Sequence, residues 1–399
     1  MCVICEKQSR LDIITEIDYI CYKINEIPKE LINLTHLFWS PFSTTIIKKI
    51  PKELTNLTCL KFSFYNEAFI EIPKELVNLK TLTCNKILEI PREFINLITL
   101  DISDAQIKYI PSTLVNLKKL YCRYCPLLTH IPKELVNLEL LSCRGCKNLT
   151  HFPIELVNLK ELCCVGCNNL THIPKEFVNL VDLDCSDCPL LTHIPKELVN
   201  LQLLSCRGCK NLTHFPIELV NLKELCCVGC NNLTHIPKEL VNLELLDCRY
   251  CPLLTHIPKE LVKLEELNCS GCKNLTHIPK ELVKLQKLSC DGCPLLTHIH
   301  SSFINLYQVK CGRCPNLIYV PSAITYVDAS NNYNTRLTNN NRDVIESNYI
   351  KYHKEGCKKL HDTIFEELIQ RTWHPSRMID WCWDEDEKKF MSLLFKMKS

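Results

Sequence analysis

The sequence predicts an α/β-type repeat solenoid. About fifteen units stack into an arc with short parallel strands on the concave face. Extended or 3-10 return segments lie behind them, and a small helical C-terminal tail follows. Three observations carry this. Cysteines recur at a constant spacing of 21, in one series from Cys122 to Cys311 and in a second, three residues later, from Cys125 to Cys314. Residues 138–176 return almost unchanged at 201–239, an offset of 63, or three units. A proline marks the same place along most of the chain, at Pro28, Pro51, Pro73, Pro91, Pro111 and Pro132 and then every 21 residues to Pro279. His300 takes the place once, and Pro321 closes the series.

One unit, residues 131–151, has its apolar positions at Ile131, Leu135, Leu138, Leu141, Cys143, Cys146 and Leu149. Alternation around Leu141-Ser142-Cys143 predicts a short strand, and successive strands pair in parallel about 4.8 Å apart. A single unit cannot bury its apolar side, so stacking creates the core. Twenty-one residues leave no room for a long return helix. The proline suits a non-helical corner, because its φ is fixed and it has no N–H to donate. Spacings before Pro111 are 23, 22, 18 and 20, so the N-terminal units have drifted in length. The segment Leu138-x-x-Leu141-x-Cys143-x-x-Cys146 resembles the leucine-rich-repeat signature. It departs in two places: cysteine stands for the leucine of the L-x-L pair, and one extra residue precedes the next leucine. Ile-Pro-x-Glu-Leu is similar to the opening of repeats that begin Leu-Pro. The resemblance covers roughly residues 20–330 and implies a binding module with its strand side as the recognition surface.

The solenoid is expected over residues 26–330, with 1–25 as an N-terminal cap. Residues 331–342 read as an Asn-rich linker, and 343–399 as a helical tail in which Leu360, Ile364, Leu368 and Ile369 form an apolar stripe. Trp373-His374-Pro375 ends that stripe, and Trp381, Trp383 and Phe390 mark a further amphipathic stretch. The tail is expected either to cap the solenoid or to dock a partner. Residues 373–382 resemble C-terminal tails of proteins from giant amoeba-infecting DNA viruses. The cysteine-laddered repeats are similar to leucine-rich-repeat proteins of mimivirus-type viruses. The resemblance implies a viral protein of the host cytoplasm or the virion.

Net charge is +2, which provides no long-range field for nucleic acid or an anionic membrane. No segment reads as a signal peptide or as the roughly 18 apolar residues of a membrane helix, so the 29 cysteines are expected as thiols in a reducing compartment. Seven Asn-Leu-Thr triplets match the glycosylation pattern but follow from the repeat. No nucleic acid, membrane or cofactor is expected.

The ten Cys-x-x-Cys pairs admit two readings. Seven of the eight glycines lie inside these pairs, so the chain bends there and both thiols can face inward. Zinc sites use similar turns, yet four thiolates per zinc would leave uncompensated charge repeated along an apolar core. Small buried hydrophobes are therefore the favoured reading, and no metal site is expected. Cys163 and Cys226 occupy the outward strand position and are the candidates for reactive thiols. Histidines recur at 21 from His130 to His298, on what should be a solvent-facing edge; a surface copy, a pH sensor and a metal stripe all remain open. Asn137 and its counterparts are expected to be buried and to satisfy backbone groups. Lys133-Glu134 and its repeats read as solvated charge ladders.

Outward strand positions vary while the framework does not. Tyr121, Arg123, Arg144, Asp184, Arg207, Asp247, Arg249, Tyr250 and Asp291 are the candidate partner-binding residues, since Tyr and Arg are favoured anchors. Basic and aromatic residues do not alternate as they would to track a nucleic-acid strand. No phosphate loop, dinucleotide turn, His-Glu-x-x-His or nucleophile elbow is present, and an enzyme is not expected. The favoured function is a protein-interaction scaffold. A ubiquitin-ligase substrate receptor and a thiol-rich metal or redox protein are the alternatives.

Overall fold

A computed structural model of the chain describes residues 14–17, 26–39, 49–62, 69–321 and 324–329. Sixteen strands pair in parallel and in chain order to make one sheet. The first, β1 (Glu16–Ile17), falls inside the segment expected as a cap. It is followed by β2 (His36–Trp39), β3 (Cys59–Phe62) and β4 (Thr81–Cys84), and from β5 (Thr99–Asp101) to β16 (Tyr326–Asp328) every strand is three residues long. Each of the fifteen proline-position landmarks lies between two consecutive strands, which gives sixteen strands rather than fifteen. The expected linker and helical tail, 331–399, lie outside the described residues.

The register is unshifted from rung to rung: Leu120 faces Leu141, Leu141 faces Leu162, and Leu162 faces Leu183. A slip of one residue would turn every inward leucine to solvent, so burial of this column fixes the register. Outside the strand the inward period changes from two to three. Leu135 N–H donates to the Pro132 carbonyl at 3.3 Å, and Leu138 N–H to the Leu135 carbonyl at 3.0 Å. On the other side Cys146 N–H donates to Cys143 and Leu149 N–H to Cys146, both at 3.1 Å. Each bond closes one turn whose two middle residues face outward and whose end residues face inward. Leu135, Leu138, Leu141, Cys143, Cys146 and Leu149 are all fully buried. The return side is thus extended chain broken by single turns, and among the described residues no 3-10 or α-helix forms.

Two side-chain ladders tie the rungs together. Asn137 Nδ2 donates to the Val115 carbonyl at 2.9 Å, and Asn158, Asn179, Asn200, Asn221 and Asn242 repeat the bond one rung further on each time. The structural role expected for this asparagine holds, but its expected burial does not: the side chain is exposed and reaches back over the surface of the preceding turn. The second ladder is internal. Cys146 donates its thiol proton to the Cys122 carbonyl (Sγ to O 2.9 Å), Cys167 to Cys143 (3.2 Å) and Cys209 to Cys185 (3.1 Å), and the series continues to Cys314 on Cys290 (3.0 Å). A thiol is the smallest apolar side chain able to donate to a buried carbonyl, and at Cys143 it is a second donor beside the Cys146 N–H. This explains cysteine here better than apolar filling alone.

Candidate functional site

The strand side presents three columns of side chains. The first and third strand positions flank the inward leucine and are half-buried in most rungs. A third column lies in the turn just past the strand. Three of the nine expected partner-binding residues are strand residues, Tyr121, Asp184 and Asp247. The others, Arg123, Arg144, Arg207, Arg249, Tyr250 and Asp291, sit in the turn that follows, because the strand ends one residue before the first cysteine.

These residues differ in how far they are available. Arg207 and Tyr250 are exposed, and Arg144 is half-buried with its guanidinium 5.8 Å from the centre of the Tyr124 ring. Arg123 corrects the expectation of an outward arginine: it is 7% exposed, its Nε donates to Ser142 Oγ at 3.0 Å, and its guanidinium lies over the Tyr121 ring at 5.2 Å. The Tyr121 ring and the small Ser142 one rung on leave a slot that the arginine fills. Arg249 and Asp247 form a two-pronged ion pair, Nη2 to Oδ2 2.7 Å and Nε to Oδ1 2.9 Å, and the carboxylate raises the arginine further above its ordinary value. Asp184 Oδ1 accepts from the Ser186 hydroxyl at 2.6 Å, and Ser186 in turn contacts Ser205 Oγ at 2.8 Å. Asp291 accepts the Gly312 N–H at 2.6 Å, while burial pushes its carboxyl above the usual range.

Tyr124 belongs with this group although alternation did not single it out. It holds φ +51°, a left-handed conformation that favours glycine, and so do Asp187, Tyr250 and Arg313, each 63 residues after the last. In the rung after Tyr124 the equivalent residue is Gly145, where a Cβ would meet Tyr124 Cδ1 at 2.5 Å. Gly271 lies under Tyr250 in the same way, and Gly208 under Asp187. A large side chain thus lies over a glycine every third rung, about 14 Å apart by strand spacing. The signal was in the sequence: these are the places where the glycine inside a cysteine pair is replaced.

The thiols of the cysteine pairs are buried. Cys143 and Cys164 are fully buried, and hydrogen bonding with Cys167 and Cys188 of the following rung, then burial, hold them well above the ordinary thiol range. Cys143 and Cys167 approach only to 4.0 Å between sulfurs. Cys226, one of the two expected outward thiols, is half-buried; burial first, then the nearby Asp247 carboxylate, raise it. Among the described residues no group of three or more His, Cys, Asp or Glu side chains converges as a metal centre. Also among them, no helix is long and apolar enough to cross a membrane.

The return side differs in kind. Thr-His, Pro-Lys-Glu and Val-Asn recur there with few changes, and the histidines are exposed as expected. Where the return side meets the strands, Glu139 bridges Lys118 (3.2 Å) and Lys160 (2.9 Å), which hold its carboxyl below the usual range.

Residues 116–138, 179–201 and 263–285 match the Leucine Rich Repeat family. No curated protein sequence matches. Among solved structures, the functional domain of InlJ from Listeria monocytogenes, which includes a cysteine ladder, superposes with a TM-score of 0.62 at 20% identity. That match covers 76% of this chain and 74% of the other. A chain of the Toll–Spatzle complex of Drosophila matches with a TM-score of 0.55 at 17% identity, over 83% of this chain and 55% of its own length. The protein has the leucine-rich-repeat fold, and at these identities the likeness is one of fold alone.

Proposed function

We propose that the protein is a non-enzymatic scaffold that binds a protein partner through the strand side of its solenoid. One observation carries the reading: side chains vary on the strand side and stay constant behind it. The third strand position runs Tyr121, Ser142, Cys163, Asp184, Ser205, Cys226, Asp247, Asn268, Ser289 and Lys310. The corresponding return-side columns keep threonine, histidine and asparagine through most of the same rungs. A surface that only had to stay soluble would have no reason to hold variation on one side. Exposed Arg207 and Tyr250 and half-buried Arg144 are residue types that anchor protein interfaces. The fold is a typical protein-interaction scaffold, and the Toll–Spatzle match is itself a chain from a protein complex. Ladder cysteines such as Cys143, Cys164 and Cys206 are free thiols, which suits a reducing compartment such as host cytoplasm.

A photo-reactive phenylalanine placed singly at Arg207, Tyr250, Lys175 or Lys238 in expressing cells tests this. The expected result is one shared protein adduct from the first two sites and none from the two return-side lysines. Arg144→Glu with Arg249→Glu should abolish it. Adducts from the lysine sites alone, or from no site, would overturn the proposal.

A further inference from the structure

We propose that the stacked histidines form a linear chelator, in which neighbouring imidazoles hold divalent transition-metal ions of the nickel, copper or zinc kind between them. The column runs His130, His151, His172, His193, His214, His235, His256, His277 and His298, all exposed. Tyr109 occupies the place before it and Tyr319 the place after it.

The ring orientation is the first observation. In all nine rungs Nδ1 lies 2.8–3.1 Å from Oγ1 of the preceding threonine. A hydroxyl can accept from Nδ1–H, and that tautomer leaves the lone pair on Nε2. Histidines that bind metal commonly donate their other ring N–H to an oxygen in this manner. In the Nδ1–H tautomer the threonines supply, nine times over, the outer partner that such a ligand needs.

Spacing is the second. Along this column Thr234 N–H donates to the Thr213 carbonyl at 3.5 Å, and at its end His298 forms a parallel bridge with Tyr319. The strands that carry these rungs are about 4.8 Å apart, and that spacing sets the scale for neighbouring rings. Metal–nitrogen bonds of about 2.0–2.1 Å let one ion span two nitrogens roughly 4 Å apart or less, which a small rotation of exposed rings achieves. Rings two rungs apart, about 9.6 Å by the same spacing, cannot share an ion. Nine histidines thus supply four adjacent pairs and one left over.

The local charge suits a cation held loosely. Glu89, Glu134 and Glu155 line the same groove as His130 and His151, together with Arg92 and Lys133. Because no third His, Cys, Asp or Glu converges among the described residues, water completes the coordination. The chemistry selects imidazole-seeking borderline ions over calcium or magnesium, which prefer oxygen.

The test is calorimetric titration of Ni2+ alone into the metal-free full chain, with a non-thiol reductant, followed by acidification. About four ions per chain are expected, released as protons compete for Nε2. His151→Gln, His193→Gln, His235→Gln and His277→Gln together leave no adjacent pair, and affinity should fall at least about tenfold. His235→Gln, His256→Gln, His277→Gln and His298→Gln remove the same number of rings but leave five in sequence, so about two ions should remain. Equal binding by the two variants would overturn the proposal. Retention of the full count by the first variant would assign the metal to the thiols and overturn it also, as would absence of binding by the unaltered chain.

Discussion

The rung between β4 and β5 and the rungs beyond Cys122 close the same coil with different numbers of corners. From Thr81 to Thr99 the chain advances 18 residues; from Leu140 to Glu161 it advances 21. In the longer rung the inward residues after the strand leucine are Cys143, Cys146, Leu149 and Phe152; in the shorter they are Cys84, Ile87 and Ile90, at most 2% exposed in either case. One three-residue turn is missing, yet Leu82 still faces Leu100 in register. In this rung the missing length is one whole corner, and each closed turn that remains still returns one side chain to the core. The next rung adds a second contrast. Ile102 and Ala105 stand where later rungs have the first and second cysteine, with the same backbone bonds, Ile102 N–H to Tyr121 O and Ala105 N–H to Ile102 O. Both are fully buried. Filling the column therefore does not require sulfur, and what the thiol adds is its proton on a carbonyl of the preceding rung.

The largest expected effect tests that addition directly. Cys209→Ala removes the donor to the Cys185 carbonyl and leaves a small void, so stability should fall by about 2 kcal/mol. Ala105→Cys makes the reverse change on the rung that lacks the thiol and should gain about 1 kcal/mol or less. Urea unfolding midpoints measure both. If the two variants moved stability by no more than a few tenths, cysteine would be filler and the contrast between the two regions would vanish.

A smaller effect separates rungs within the uniform region. Gly229 and Gly271 both hold positive φ, +69° and +76°, so alanine at either position carries left-handed strain of about 1 kcal/mol. A Cβ at Gly229 meets nothing within 4 Å, whereas one at Gly271 meets Tyr250 Cδ1 at 2.5 Å. Gly271→Ala should therefore cost about 1 kcal/mol more than Gly229→Ala, since the ring must swing off its glycine. Introducing Tyr250→Ala first should bring the two costs together. A difference that survives that change would place its cause elsewhere than the ring.

The framework was legible because it is periodic. Leu141, Cys143 and Cys146 announce themselves by spacing, and stacking leaves one way to bury them. What lies between is a matter of which neighbour a side chain meets, and spacing is silent on that. Alternation assigned Arg123 a side but not the Tyr121 ring and Ser142 hydroxyl that hold it down. It treated Arg144, Arg207 and Asp291 as strand residues, since nothing in the pattern marks a strand of only three residues. Extended turns and 3-10 helix share the same i to i+3 bond, and the sequence does not separate one such bond from two in succession. Tyr124 carries the same signal as Tyr250, a missing glycine rather than a present motif, and alternation singled out only Tyr250.

The thiols give the last comparison, between the strand side and the core. Cys163 and Cys226 are half-buried, while the other described cysteines are buried. An aromatic disulfide reagent should modify these two in the folded protein and reach the others only in denaturant. Accessibility does not make Cys226 fast. Burial, and then Asp247, raise its thiol above the ordinary range, and the thiolate is the species that attacks. Its labelling should lag a free thiol at pH 8 and should still be rising at pH values where a free thiol has levelled off. Asp247→Asn should speed it only a few-fold, because burial is the larger cause and Arg249 already pairs with that carboxylate. The rates are followed separately on a Cys163→Ser background. Labelling of Cys226 as fast as a free thiol at neutral pH would mean that the strand side activates its sulfur, and a passive recognition surface would no longer account for that column.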